Sequence, residues 1–274
     1  MNLIVAGIIT VAATAASIVV ILLIRRRAPD GGFFNDGDRA AGVFGVLATG
    51  FALLLGFVVF LAFTKYDESR AGAETEALVV VQQFETAQLM PEAVRPALSG
   101  ALTCYGRSIV GIEWPQMRAG ETGSQINAWG FEMFRVLQKA EPASATEESA
   151  FDAWLGQSSA RQEARRDRLH AADGIVPSPV WLVLFVTAML VIVYTFFFAD
   201  SGERAVVQAL LAGAVTAIVV LTLFVLSVLN RPYQPGVGGL EPAAMERSME
   251  IIGQARAALS LTEPLPCDEL GRPL

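Results

Sequence analysis

The stretch GFALLLGFVVFLAFTKYDESR, residues 50–70, passes from lipid-soluble to water-soluble composition with no proline and no turn signal at the join. Its first fourteen residues hold no ionisable side chain, and four of its last six are charged. It reads as one helix that leaves a membrane unbroken. On a helical wheel at about 100° per residue, Gly45, Thr49, Ala52 and Gly56 fall on one narrow stripe. Small residues repeated this way let helices approach closely in lipid, where no hydrophobic effect drives them together. A second stripe runs beside it through Thr49, Leu53, Phe57, Phe60 and Thr64. If several copies of the helix surrounded an axis, the small stripe would pack on neighbours. The larger residues would then face inward as an apolar constriction, which gates by dewetting. The alternative is that these residues simply face lipid or another helix.

The rest of the chain agrees with a membrane setting. Of its 274 residues 53% are hydrophobic and 17% charged, against about 25% charged in soluble domains. Four segments reach the roughly 20 apolar residues that a bilayer requires: residues 3–24, 40–63, 179–199 and 205–229. None contains Asp, Glu, Lys, Arg or His. The sequence therefore predicts an all-α integral membrane protein. Its four transmembrane helices form two hairpins, in residues 1–63 and 179–229, with a helical extramembrane domain at 64–178 between spans two and three. A tail, 230–274, carries one amphipathic stripe at Met245, Met249, Ile252, Ala255 and Leu259, expected to pack back on that domain. The first segment is read as a retained span and not a cleaved signal, because Arg25, Arg26 and Arg27 follow it and no charged side chain precedes it.

The extramembrane domain shows helical spacing and no strict alternation. A first helix continues span two to about Leu89, with Ala73, Ala77, Val80, Val81, Phe84 and Ala87 on one face and Pro91 after it. Further helices are expected over about 92–112, stopping before Pro115, over 124–139 and over 146–171. Gly120–Gly123 and Pro142–Ser144 are expected turns. Trp114, Trp129 and Trp154 are expected core residues, and Trp181 fits an interfacial belt.

The arginine cluster after span one favours a cytoplasmic first loop. The extramembrane domain and the tail are then outside, in the periplasm, with the spans in a bacterial inner membrane. Cys104 and Cys267 share that side, so they either form a disulfide there or remain two buried thiols.

Net charge is −7, which argues against a nucleic-acid partner. One His and two Cys exclude most metal cages, and no nucleophile–base pair, Walker motif or HExxH marks an enzyme or a cofactor site. His170 reads as an ordinary interfacial residue. No span carries the midplane carboxylate of a proton-coupled pump. Asp67, Glu68, Glu74 and Glu76 would ring a pore exit in an oligomer, or simply form a solvated helix face. The Arg161–Arg168 group would bind lipid headgroups or anions, or pair at the surface with Glu163, Asp167 and Asp173.

Leu55-Gly56-Phe57 followed by Tyr66-Asp67 resembles the second transmembrane helix of bestrophins, pentameric anion channels with four spans and a helical domain between spans two and three. The resemblance implies a neck at Thr49, Leu53 and Phe57, with Thr49 departing from the usual aliphatic. Tyr66-Asp67-Glu68 with Arg70, Glu113-Trp114-Pro115, Arg166-Asp167-Arg168-Leu169 and Asn230-Arg231-Pro232-Tyr233 resemble more closely a bacterial bestrophin-like family of four-span proteins. That similarity covers nearly the whole chain. It implies a homo-oligomer, as a pentamer, with membrane lipid and small inorganic ions as partners. The bestrophins' calcium-binding acidic cluster has no counterpart here, so no calcium site is implied. Bestrophins hold the inter-span domain in the cytosol, opposite to the arginine signal. A non-conducting scaffold or envelope sensor, binding a partner through its extramembrane helices, is the other reading.

Overall fold

The computed structural model describes residues 3–121 and 127–274. Among them every extended element is helical: α1 (Leu3–Arg25), α2 (Gly37–Ala87), α3 (Arg95–Ser108), a π-turn (Ile109–Glu113), α4 (Trp114–Ala119), α5 (Ala128–Leu137), α6 (Ala145–His170), α7 (Ser178–Phe196), α8 (Ala205–Leu229) and α9 (Ala243–Ala258). Four of these, α1, α2, α7 and α8, are long and apolar enough to cross a membrane. The helix is the expected solution there, because no water is present to satisfy backbone polar groups. The chain divides into two compact units.

The first unit comprises residues 1–64, 174–230 and 236–238. Its best-knit pair is α1 on α8. The Thr216 hydroxyl donates to Ser17 Oγ at 2.8 Å, and Ser17 donates to the Ala212 carbonyl. A Cβ at Gly213 would stand 3.1 Å from Ile18 and 3.5 Å from Thr14, so the missing side chain is what lets α1 come close. Consecutive spans α1 and α2 are linked in sequence, but α1 finds its neighbours in α8 and α7. Helix α2 buries Phe51, Leu55, Val58 and Ala62 against Leu184, Ala188 and Val191 of α7 and Val219 and Leu226 of α8. Asp36 caps α2 by accepting from Arg39 N at 3.0 Å, which starts the helix three residues ahead of the expected Ala40.

The two interhelical loops of this unit are tied together. Arg25 donates to the carbonyls of Ser201 (2.8 Å) and Glu203 (3.1 Å), and Asp200 Oδ1 accepts from Gly31 N and Gly202 N. Beside them Phe34, Phe44, Tyr194 and Phe198 pack their rings 5.3–5.9 Å apart. At the opposite ends of α7 and α8, Asn230 Oδ1 accepts from Ile175 N (3.0 Å) and Val176 N (2.7 Å).

The second unit comprises residues 65–173, 231–235 and 239–274. Its core joins Val80 and Phe84 of α2, Leu98, Leu102 and Tyr105 of α3, Met133 of α5, Trp154 of α6 and Ile252 of α9, with Trp114 and Trp129 also buried. Helix α6 starts in a capping box, Ser144 with Glu147, which uses two otherwise orphaned N–H groups. Helix α9 buries Met245 and Ile252, and its Ser248 donates to the Ala77 carbonyl at 2.9 Å. Leu259 follows the end of α9 and is exposed, unlike the rest of its expected stripe. Cys104 and Cys267 are joined by a disulfide, and beyond it Gly271 O accepts from Trp129 Nε1 at 2.7 Å. Gly271 has φ +83°, and a Cβ there would meet Ser108 N at 2.3 Å, so only glycine fits.

Two helix expectations need correction. The helix expected to stop before Pro115 continues past it: α3 widens into the π-turn, Trp114 N–H bonds to Ile109 O, and Pro115 sits in the first turn of α4. Proline is tolerated at that position because its absent N–H has no partner to lose. The helix expected over 124–139 is α5, residues 128–137; its expected start at Ser124 lies outside the described residues, as does most of the Gly120–Gly123 turn. Gly120 itself ends α4 in the left-handed conformation, φ 78°.

Candidate functional site

The face of α2 opposite its buried stripe is left uncovered by the rest of the chain. Leu53 is 70% exposed, Phe57 62% and Phe60 64%, and Thr49 is exposed beside them. The packing residues Gly45, Ala52 and Gly56 are exposed too, and a Cβ at either glycine would meet nothing within 4 Å. The close approach expected from these small residues is therefore not made within one chain. A contiguous apolar row this large is unusual for a surface facing water.

Three acids follow on the same helix. Glu68 pairs with Lys65 at 2.6 Å and Glu74 with Arg70 at 3.1 Å, which leaves Asp67 exposed and outside both pairs. Both pairs are solvent-exposed and are worth little to stability, about 0–1 kcal/mol each. Glu76 corrects the expected cluster: it is 0% exposed and does not share the solvated face.

Glu76 instead belongs to a buried ionic network in the second unit. Arg168 of α6, also 0% exposed, donates from Nε to Glu76 Oε2 at 2.5 Å and from Nη2 to Glu76 Oε1 at 3.2 Å and Glu113 Oε2 at 2.7 Å. Glu113 projects from the π-turn and also accepts from Arg165 at 3.0 Å and Asn127 at 2.7 Å. Tyr105 donates its hydroxyl to Glu76 Oε1 at 2.5 Å. Burial would raise the Glu113 pKa, but Arg168 and Arg165 outweigh it and hold the carboxyl below its ordinary value. Burial likewise opposes the charge on Arg168, and Glu76 and Glu113 overcome it, so its pKa lies above that of a free guanidinium. Arg161 and Arg168 are thus interior residues, which overturns their reading as a surface group.

Segments far apart in sequence meet at Arg168. Its guanidinium lies 5.9 Å from the Trp114 ring. Trp114 meets Tyr233 edge-on at 5.4 Å and donates to the Leu240 carbonyl at 3.2 Å. The Tyr233 hydroxyl donates to the Arg168 carbonyl at 2.5 Å. Where α2 crosses α6, a Cβ at Gly72 would lie 2.8 Å from the Ala164 oxygen and from Arg168 N. That contact brings Glu76, one turn on, level with Arg168. The sequence did carry a signal for this: Gly72, Glu76, Gln83 and Ala87 follow one stripe of α2, and Arg161, Arg165 and Arg168 follow one stripe of α6. Among the described residues no group of three or more His, Cys, Asp or Glu side chains is placed to hold a metal ion.

Comparison with known proteins agrees with this arrangement. The bestrophin-like domain family matches residues 10–245. Solved structures of variants of a bacterial bestrophin homologue from Klebsiella pneumoniae share the fold. One superposes with a TM-score of 0.67 at 12% identity, covering 93% of this chain and 99% of that one. A second gives 0.63 at 12%, covering 89% and 98%, and a third 0.63 at 14%, covering 92% and 99%. Comparison with curated proteins gives no match.

Proposed function

The chain belongs to the bestrophin-like family, and on that premise we propose that it is an oligomeric passive ion channel whose pore is lined by α2. The observation that carries this reading is the uncovered row Thr49, Leu53, Phe57 and Phe60, set opposite the face that α2 buries on α7 and α8. Several copies around an axis would cover that row and use Gly45, Ala52 and Gly56 for the close approach that one chain does not make. Leu53 and Phe57 then form a constriction that opens by wetting, with Thr49 supplying a hydroxyl on one side and Phe60 an extra apolar ring on the other.

In this reading the spans pair in sequence as two hairpins, residues 1–63 and 179–229, and residues 64–178 with the tail 230–274 lie outside the bilayer. A pentamer conducting anions follows the bestrophin pattern. The acids Asp67, Glu68 and Glu74 at the pore exit oppose anions less than their number suggests, because Lys65 and Arg70 neutralise two of them. The Cys104–Cys267 disulfide favours an oxidising compartment, hence an inner-membrane protein with the extramembrane domain in the periplasm. The protein carries out transport and not catalysis.

The test is ion flux through purified protein in lipid bilayers. The wild type is expected to conduct, and Phe57→Ala to conduct more or to lose rectification. Silence of both proteins, or a particle no larger than a dimer, would sink the channel reading and leave the scaffold or sensor.

A further inference from the structure

The second unit holds a groove of about 350 Å³ between α5 and α6 that the pore reading does not use. Its lining includes Arg161, Arg165 and Arg166 from α6, Tyr105 from α3, and Phe131 and Phe134 from α5. We propose that this groove binds a small organic monoanion with a carboxylate head and an apolar or aromatic body.

The head is called for by an imbalance of charge. Arg161 is 4% exposed, yet it forms no ion pair among the described residues. Both of its hydrogen bonds leave from Nη1, to Gln83 Oε1 at 2.6 Å and to the Met133 sulfur at 3.1 Å. Its remaining favourable contact is the Tyr105 ring, 4.8 Å from the guanidinium carbon. A buried cation held by a neutral amide, a thioether and a π-face keeps most of its desolvation cost. Its neighbour Arg168 shows the contrast, with two carboxylates on one guanidinium. The balance of pKa effects follows: burial pulls Arg161 below the usual guanidinium value.

Two more arginines reinforce the positive field. Arg165 spends Nη2 on Glu113 but leaves its buried Nε–H without an acceptor. Arg166 is exposed and joins no ion pair among the described residues. Glu163 and Asp167, adjacent on α6, form no ion pair with any of the three within the described residues. An arriving carboxylate would accept from planar, forked donors suited to bidentate contact.

The body is specified by the rim. Phe131 is 61% exposed and Phe134 58%, three residues apart on one face of α5 and both on the groove. Their faces and edges suit a ring or short chain. An inorganic anion would use the arginines and leave this apolar rim in water. A neutral hydrophobe would use the rim and leave the cationic floor unmet.

The experiment uses the full-length protein in nanodiscs and isothermal titration calorimetry with 3-phenylpropanoate. Its neutral analogue 3-phenylpropan-1-ol and sodium sulfate are titrated in parallel. Saturable binding of the carboxylate is expected, at least about tenfold tighter than either comparator, since each charge-assisted bond is worth about a tenfold change or more in affinity. Arg166→Gln and Phe134→Ala alter exposed side chains and are expected to fold with the wild-type melting temperature. Each is expected to weaken the carboxylate severalfold, while Arg161→Gln abolishes binding. No saturable heat overturns the proposal. Carboxylate binding unchanged in both Arg166→Gln and Phe134→Ala also overturns it, by placing the ligand elsewhere. Sulfate binding as tightly as the carboxylate overturns the amphipathic ligand class and leaves an inorganic anion.

Discussion

Replacing Arg168 by Met is the sharpest test of the buried network. The guanidinium is 1% exposed and spans Glu76 at 2.5 Å and Glu113 at 2.7 Å. At an effective dielectric of about 20, each such contact is worth on the order of 4 kcal/mol of Coulomb attraction at roughly 4 Å. That attraction largely offsets the several kcal/mol needed to desolvate each ion. Removing the cation alone leaves the desolvation cost of Glu76 in place, with only the Tyr105 hydroxyl to meet it. Loss of one partner from a buried pair typically costs about 3–5 kcal/mol, or roughly 6–20 °C in melting temperature for a unit of this size. Glu113 suffers less, because Arg165 and Asn127 remain. The double variant Glu76→Gln/Arg168→Met buries no unpaired charge at this position and is expected to recover more than half of the loss. Thermal melts of the four proteins of this cycle, in one detergent and at neutral pH, measure the coupling. A single variant that melts within about 2 °C of the wild type, or a double variant no more stable than the single, refutes the network as described.

Three further outcomes follow from other contacts. Gly72→Ala places a methyl 2.8 Å from backbone atoms of α6; it is expected to cost about 1–3 kcal/mol, read as a lower melting temperature, and an unchanged melt would show the crossing to be looser. Reducing the Cys104–Cys267 bond, which spans 163 residues of sequence, is expected to cost about 2–5 kcal/mol, visible as a drop in melting temperature with reductant that Cys104→Ser/Cys267→Ser does not show. The lowered Glu113 pKa means that its contribution is complete above its unfolded value of about 4.5 and is lost as pH falls through the folded value. Melts from about pH 6 to about pH 3 should therefore steepen less on the acid side for Glu113→Gln, and parallel profiles would count against the pairing.

The membrane helices were legible because lipid imposes a single rule, a long run free of charge, and all four runs obey it. Phe51, Leu55, Val58 and Ala62 could not be told from Leu53, Phe57 and Phe60 by composition, since both rows are apolar and only the neighbours α7 and α8 decide which is covered. The network around Arg168 was harder. Acids at 67, 68, 74 and 76 look alike on one helix, and what separates Glu76 is Gly72, whose missing Cβ lets α6 approach. A basic run such as Arg161–Arg168 reads as a surface because charged residues are seldom buried, and the exception needs the partner helix to be seen. Pro115 read as a stop because the ordinary α-helical ladder has no place for it; the wider π-turn before it was not anticipated.

That wide turn has a consequence for how the chain tolerates change. Five residues, Ile109–Glu113, bond one position further back than their neighbours, so they behave like a helix that has absorbed a single extra residue. Excising one amino acid there would restore ordinary winding and would look harmless on a propensity scale. It would also swing everything downstream by about 100°, aiming Glu113 away from Arg165 and Arg168 and carrying Trp114 off Tyr233. The backbone at this point acts as a phase setting, so length within residues 109–113 is expected to be far less negotiable than the identity of any side chain except Glu113.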